Sequence, residues 1–136
     1  MVKFMLDTNV VSHAVRDPQG RVARQLASVG ADAVALSIVV ASELRFGLAK
    51  IAHTGSTRLG DRVMQLLDRI AVLSFDQPCD MHYGDIRAML ERAGESIGPN
   101  DLLIAAHARA QGLTLVTNNS DEFSRVVGLQ CEDWSR

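Results

Sequence analysis

Apolar residues in this chain fall into two kinds of stretch. Four short runs are apolar almost without interruption: Val2 to Leu6, Ala33 to Leu36, Ala71 to Phe75 and Leu113 to Val116. Runs of this length predict buried strands. Between them the apolar positions recur every three or four residues, the spacing of a helix with one face inward. Such faces are Val10, Val11 and Val15; then Val22, Leu26 and Val29; then Val39, Val40, Leu44, Leu48 and Ile51. Thr57 to Ile70 turns Val63, Leu66, Leu67 and Ile70 inward, and Cys79 to Ala93 turns in Met81, Ile86, Met89 and Leu90. Leu102 to Ala110 is apolar nearly all round, which predicts a fully buried helix. Asp17-Pro18-Gln19-Gly20, His53 to Ser56, Asp76-Gln77-Pro78, Gly94 and Gly112 punctuate the series as turns and helix ends. Toward the end, Phe123 and Val126 anchor a short helix, Leu129 to Cys131 adds an edge strand, and Trp134 tucks the tail down.

Strands alternating with helices imply an α/β fold whose parallel sheet is covered on both faces. Right-handed crossovers bring every strand's carboxyl end to one side of that sheet, where ligands bind in such folds. The chain of 136 residues predicts one domain spanning 1–136.

Composition narrows the partners. With 4% aromatic residues, aliphatic side chains and alanine must build the core, and little is left for stacking on single-stranded nucleic acid. A net charge of −2 gives no global nucleic-acid signature. Cys79 and Cys131 lie in no CxxC pattern and have no paired histidine spacing, so they read as reduced thiols of a cytoplasmic protein. The N-terminal apolar run is too short for a signal-peptide core or a membrane span.

Candidate chemistry gathers at the predicted strand ends. Asp7 closes the first strand, with Thr8 as the cap of the helix that follows. Taken alone, Asp7 reads as a helix-capping aspartate. Glu43 lies within the first turns of its helix, among apolar neighbours. An exposed glutamate there would pair with Lys50 or Arg45, whereas a partly buried one needs a partner of its own. Gly47, one turn on, leaves open space beside that carboxylate or allows close backbone approach. Pro99 suits the first position of a helix and Asp101 its first turn. Thr117 to Glu122 forms a polar loop after the fourth strand. Carboxylates sharing a site repel one another and raise their own pKa values, so a cation is the natural occupant. Oxygen ligands without thiolate or imidazole select Mg²⁺ or Mn²⁺. The matching reaction is phosphodiester hydrolysis, with the metal activating a water. His13, His53, His82 and His107 form no ligand-like pair and read as surface or core residues. There is no P-loop, GxGxxG or GxSxG element.

Met5-Leu6-Asp7-Thr8-Asn9, Ser42-Glu43-Leu44 with Gly47, Ile97-Gly98-Pro99-Asn100-Asp101, and Leu115-Val116-Thr117-Asn118-Asn119 followed by Glu122-Phe123 together resemble the motifs of PIN domains. More narrowly, they resemble the VapC-type toxins of bacterial toxin–antitoxin pairs, over essentially the whole chain to Glu132-Asp133-Trp134. The resemblance implies a three-layer α/β/α fold, Mg²⁺-dependent endoribonuclease activity, a homodimer and neutralisation by a VapB-type antitoxin. It makes Asp7 and Asp101 the metal ligands and Glu43 the completing acid. Asn119 stands where many PIN domains carry an aspartate, so the fourth polar position falls to Asn119, Asp121 or Glu122. The Ile97–Asp101 motif, the run Thr117-Asn118-Asn119 and the tail further resemble the subgroup that cuts initiator tRNA in its anticodon loop. A weakly acidic chain cannot hold RNA by charge alone, so shape recognition, helped by arginines such as Arg45, Arg87 or Arg125, supplies selectivity.

Two other readings compete. A phosphatase working through an aspartyl-phosphate wants a second acid two residues after the nucleophile, and Asn9 holds that place. A catalytically inactive PIN-like module would bind RNA or a partner only, and retention of Asp7, Glu43 and Asp101 argues against it.

Overall fold

The computed structural model describes residues 1–53 and 58–136. Five strands form one sheet: β1 (Phe4–Leu6), β2 (Val34–Ser37), β3 (Ala71–Leu73), β4 (Thr114–Val116) and β5 (Cys131–Glu132). All pairings are parallel, in the order β3-β2-β1-β4-β5. The helices are α1 (Thr8–Arg16), α2 (Arg21–Val29), α3 (Ile38–Ala52), α4 (Arg58–Arg69), α5 (Cys79–Ala93), α6 (Pro99–Gln111) and the short α7 (Ser120–Phe123). They cover both faces of the sheet, giving the three-layer α/β/α architecture that the alternating pattern predicts. α1 packs on α2 and α4, α5 packs on α6, and α3 touches α1, α4 and α6.

The order of the strands decides where the site lies. The chain runs outward from β1 through β2 to β3, then returns to place β4 on the other side of β1. The reversal opens a crevice between the carboxyl ends of β1 and β4, the usual binding position in an open parallel sheet. Asp7 follows β1 and Thr117 follows β4, so both stand at its floor. Asp7 N–H donates to the Val116 carbonyl at 2.9 Å.

The core is aliphatic, as the composition requires. Met5, Leu6, Val34, Leu36, Ile104 and Leu115 are fully enclosed at its centre. Phe123 is fully buried and anchors α7, and Trp134 packs edge-on against Phe4 at 5.2 Å. Gly94 and Gly112 end α5 and α6 with φ of 68° and 67°, a left-handed backbone that glycine adopts without strain.

Several local expectations are revised. Asp7, not Thr8, is the N-cap of α1, because its carboxylate reaches the Thr8 N–H and Thr8 already has helical geometry. Met81 is 73% exposed rather than inward, since Cys79 and Ile86 take the buried face of α5. β3 stops at Leu73 and is largely exposed, as an edge strand can be. The strand at the end of the chain is Cys131–Glu132, slightly later than Leu129 to Cys131. Most of the His53 to Ser56 turn, and Thr57, lie outside the described residues.

Arg109, near the end of α6, fastens three segments. Its guanidinium donates to His82 Nδ1 at 2.8 Å, to Asp85 Oδ2 at 2.7 Å and to the Val127 carbonyl at 2.9 Å. The side chain is only 15% exposed, so its removal leaves α5 and the 127 turn without a shared donor. Arg109→Ala is expected to lower stability by about 2–3 kcal/mol, and Arg109→Lys to recover little of it, because an ammonium cannot reproduce the planar fork. Urea denaturation checks this; an unchanged midpoint for Arg109→Ala would remove the clamp from the account.

Candidate active site

Four segments deliver carboxylates to the crevice. Asp7 comes first and is held most tightly. One oxygen accepts from the Thr8 N–H at 2.8 Å and the other from the Thr117 hydroxyl at 2.9 Å. Each oxygen keeps a further acceptor site, since an ionised carboxylate takes about four hydrogen bonds in all. Asp7 is 5% exposed, and burial pushes its pKa up; the Thr117 and Thr8 donors oppose this, while the charges of Glu43 and Glu122 reinforce it.

Glu43 enters from α3. It is half-buried, and its partner is neither Lys50 nor Arg45 but the Thr8 hydroxyl, which donates to Oε1 at 2.8 Å. Thr8 therefore bridges the two acids, its N–H to Asp7 and its hydroxyl to Glu43. Lys50 instead sits over the Phe46 ring at 5.2 Å. Gly47 lines the same cleft as Glu43, and a Cβ there would meet nothing within 4 Å, so the space beside the carboxylate is open.

Asp101 lies in the first turn of α6, behind Pro99 at the first helical position. Its carboxyl is pushed up to about 7, first by burial, then by the charges of Glu122 and Asp7, a hydrogen bond to Glu122, and the charge of Glu43. Glu122, from α7, moves the other way. Burial works against its charge, but the Gly98 N–H, the Asn119 amide, the Asp101 carboxyl and Arg125 outweigh it and hold it below the usual range. Asp101 thus carries the proton and Glu122 the charge. Gly98 N–H donates to Glu122 Oε1 at 3.0 Å, and a methyl on Gly98 would stand 3.5 Å from Asp101 Oδ2.

Asn119 does not face the other acids as an independent ligand. Its amide donates to Glu122 Oε2, and its backbone N–H to the Thr117 hydroxyl at 2.9 Å. Asp121 is exposed. Of the three candidates for the fourth polar position, Glu122 is the one electrostatically joined to Asp7 and Asp101. Thr8 and Thr117, which orient the acids, went unnoticed as site residues in the sequence. The available signal is a threonine within two residues of each of two adjacent strand ends.

A second layer ties the carriers together. Ser37 caps α3, accepting from the Val39 N–H at 3.1 Å, and its hydroxyl meets His107 Nδ1 of α6 at 2.7 Å. His107 is fully enclosed, packs against Phe75, and is kept neutral chiefly by burial. It is a core histidine, as expected. The helices bearing Glu43 and Asp101 are thereby joined beneath the site.

The donor set is all hard oxygen and suits a divalent cation. Among the described residues no three acidic, histidine or cysteine side chains stand together as a complete cage. Mg²⁺ does not require one, because it keeps several waters and takes one or two carboxylates. The raised Asp101 carboxyl, pushed up first by burial and then by its acidic neighbours, is consistent with a site that a cation would relieve.

A buried, threonine-held aspartate at the reversal of a five-stranded parallel sheet, with further acids from α3, α6 and α7, is the arrangement of a nuclease domain. The chain belongs to the PIN-domain family, whose model matches residues 4–129. Within it, the similar proteins are VapC ribonucleases. The chain is 39% identical to the tRNA(fMet)-specific endonuclease VapC of Shigella flexneri, covering 99% of this chain and all of that protein, and 35% identical to ribonuclease VapC2 of Rickettsia felis over 98% of each. The crystal structure of Rickettsia felis VapBC2 bound to a promoter DNA fragment matches with a TM-score of 0.86 at 34% identity, covering 98% and 99% of the two chains. DNA-bound VapBC from Salmonella typhimurium gives 0.85, also at 34% identity and the same coverage. Among the described residues, no helix is long and apolar enough to cross a membrane.

Proposed function

We propose that this chain is the endoribonuclease toxin of a VapBC-type pair, a single PIN domain in which Asp7 and Asp101 hold a divalent cation, Glu43 completes the acidic centre, and Asn119 acts by holding Glu122 in place. The convergence of these acids at the reversal of the sheet carries the reading. An inactive binding module has no use for partly buried carboxylates gathered from four segments of the chain. A bound Mg²⁺ or Mn²⁺ supplies a water of lowered pKa and offsets charge on the phosphate. The protein's own part is orientation. Thr8 and Thr117 fix both oxygens of Asp7. The Thr8 hydroxyl sets Glu43. Gly98 and Asn119 hold Glu122 charged, so that Asp101 is the group that yields its proton when a cation enters.

That proton gives a test. Below about 7 the cation competes with it, and above about 7 it does not. Mg²⁺ affinity is therefore expected to rise between pH 5.5 and 7 and level off above, with release approaching one proton per ion on the acid side. Calorimetry in two buffers of different ionisation enthalpy reads this; a pH-independent affinity would separate Asp101 from the ion. EDTA is expected to abolish cleavage, and added Mg²⁺ or Mn²⁺ to restore it.

The Shigella relative's name carries over as the substrate proposal, initiator tRNA; the sequence resemblance adds a cut in the anticodon loop. A loop offers unstacked bases and a bent backbone within reach of an open acidic site, unlike an A-form duplex. Of the arginines considered, Arg125 lies near Glu122, Arg45 is exposed on α3, and Arg87 is occupied by Glu91 and Tyr83. Mapping new ends in total tRNA decides the substrate; cuts in messenger or ribosomal RNA with initiator tRNA intact would reject it.

The antitoxin belongs in the apolar cleft beside Glu43. Val15, Leu44, Leu48 and Val63 line it, with Thr8 and Glu43 at one end. An amphipathic helix or extended segment suits such a groove, and a basic side chain on it would reach the acids. Phe46 at 65% exposure and Val127 at 64% leave apolar surface for a homodimer or the antitoxin. Sedimentation at low concentration, with and without the VapB-type partner, tests both.

A further inference from the structure

A second cleft lies along an adjoining face of α1, and its character differs from the apolar one. It measures about 380 Å³ and is lined by Asn9, His13, Arg16, Asp17 and Asn118. Asn9 lies two residues beyond Asp7, and Asn118 directly follows Thr117, so two of the lining residues are chain neighbours of the groups that form and orient the central carboxylate. Asn9, His13 and Arg16 are spaced by four and three residues along α1 and share a face.

We propose that this cleft receives the unstacked nucleobase next to the cut phosphodiester, with the adjoining phosphate on Arg16. The inference rests on the ribonuclease reading above and names a subsite for it. Three observations carry it. The first is position, since the residues that orient Asp7 and those that line the cleft are neighbours in the chain. The second is unspent hydrogen-bonding capacity. Among the described residues, the side chains of Asn9, His13, Arg16 and Asn118 make no hydrogen bond or ion pair, whereas Asn119, next along, is committed to Glu122. Arg87, Arg109, Arg125 and Arg136 all have carboxylate partners. The third is chemistry. Two carboxamides offer donors and acceptors that match a base edge, an imidazole offers a face for stacking, and a guanidinium takes a phosphate. An apolar antitoxin segment would find no complement here. Arg16 also lines the apolar cleft, so it is the one residue that both occupants would meet.

The test uses the full-length protein and a pool of RNA oligonucleotides randomised around one cleavage position. The wild type is expected to favour one base beside the cut. Asn9→Ala and Asn118→Ala are each expected to lower kcat/KM for that base about tenfold, to the level of the other three, without changing Tm. Arg16→Ala is expected to raise KM for all sequences alike. Asparagine variants that keep the wild-type preference, or that slow every sequence equally, would overturn the proposal. A second measurement does not depend on cleavage. With Ca²⁺ in place of Mg²⁺, at least one of four single-stranded RNA oligonucleotides, each made of one base, should shift the side-chain amide NMR signals of Asn9 and Asn118 and leave that of Gln65, on α4, unmoved. If the wild type cuts no RNA, shifts at both asparagines would keep the subsite while the nuclease reading falls; absence of shifts would reject the subsite whatever the activity.

Discussion

Asp7→Asn is expected to reduce RNA cleavage by about a thousandfold, the scale of several kcal/mol of charge stabilisation lost with a catalytic metal. The fold is expected to survive. The asparagine oxygen can still accept from the Thr8 N–H, and its amide can donate to the Thr117 hydroxyl, which is free to turn its own proton away. Circular dichroism and Tm should therefore match the wild type while single-turnover cleavage in excess Mg²⁺ is lost. Full activity in this variant would remove Asp7 from the metal site.

Asp101→Asn is expected to be equally inactive yet more stable than the wild type in the absence of metal. The sign follows from its raised carboxyl. An aspartate that titrates near 7 when folded and near 3.8 when unfolded binds more protons in the folded state between those values. Its contribution is fully present below about 4 and is lost as pH rises through 7. At pH 8 the folded wild type holds Asp101 as a partly buried anion among Asp7, Glu43 and Glu122, and the neutral amide escapes both the burial penalty and that repulsion. The gain is about 1–2 kcal/mol, reduced by partial solvent contact, or several degrees in Tm. It should shrink toward pH 5 and reverse when saturating Mg²⁺ stabilises only the wild type. A variant less stable than the metal-free wild type at pH 8 would contradict the repulsion.

The sequence disclosed the fold through periodicity, because strands and helices of this protein bury their faces in separate, uninterrupted stretches. α1 and α2 end at Arg16 and Val29 where Asp17-Pro18 and Gly30 place the breaks. Asp7, Glu43 and Asp101 were legible as candidates because each acid interrupts an apolar setting. Their geometry was not legible. That Thr8 serves both Asp7 and Glu43 depends on how α1 meets α3, and local spacing carries no such information. Glu122 could not be separated from Asn119 and Asp121 either. One turn of α7 determines which of the three faces Gly98, and that turn is fixed by burial of Phe123. Met81 was misread for a similar reason: with apolar residues scattered around α5, contact with α6 rather than periodicity selects the inner face.

The hydrogen bond between Thr117 and Asp7 spans 110 residues of chain. A nascent polypeptide that has emerged through α3 already carries Asp7 and Glu43, but β4 has yet to dock beside β1, and Asp101 and Glu122 have yet to be made. Long-range parallel pairing of this kind forms late in folding. The enzyme is consequently unarmed for most of its own synthesis. Nuclease chemistry built on these acids is therefore assembled only once nearly the whole chain is out, and the chain's last quarter acts as its safety catch.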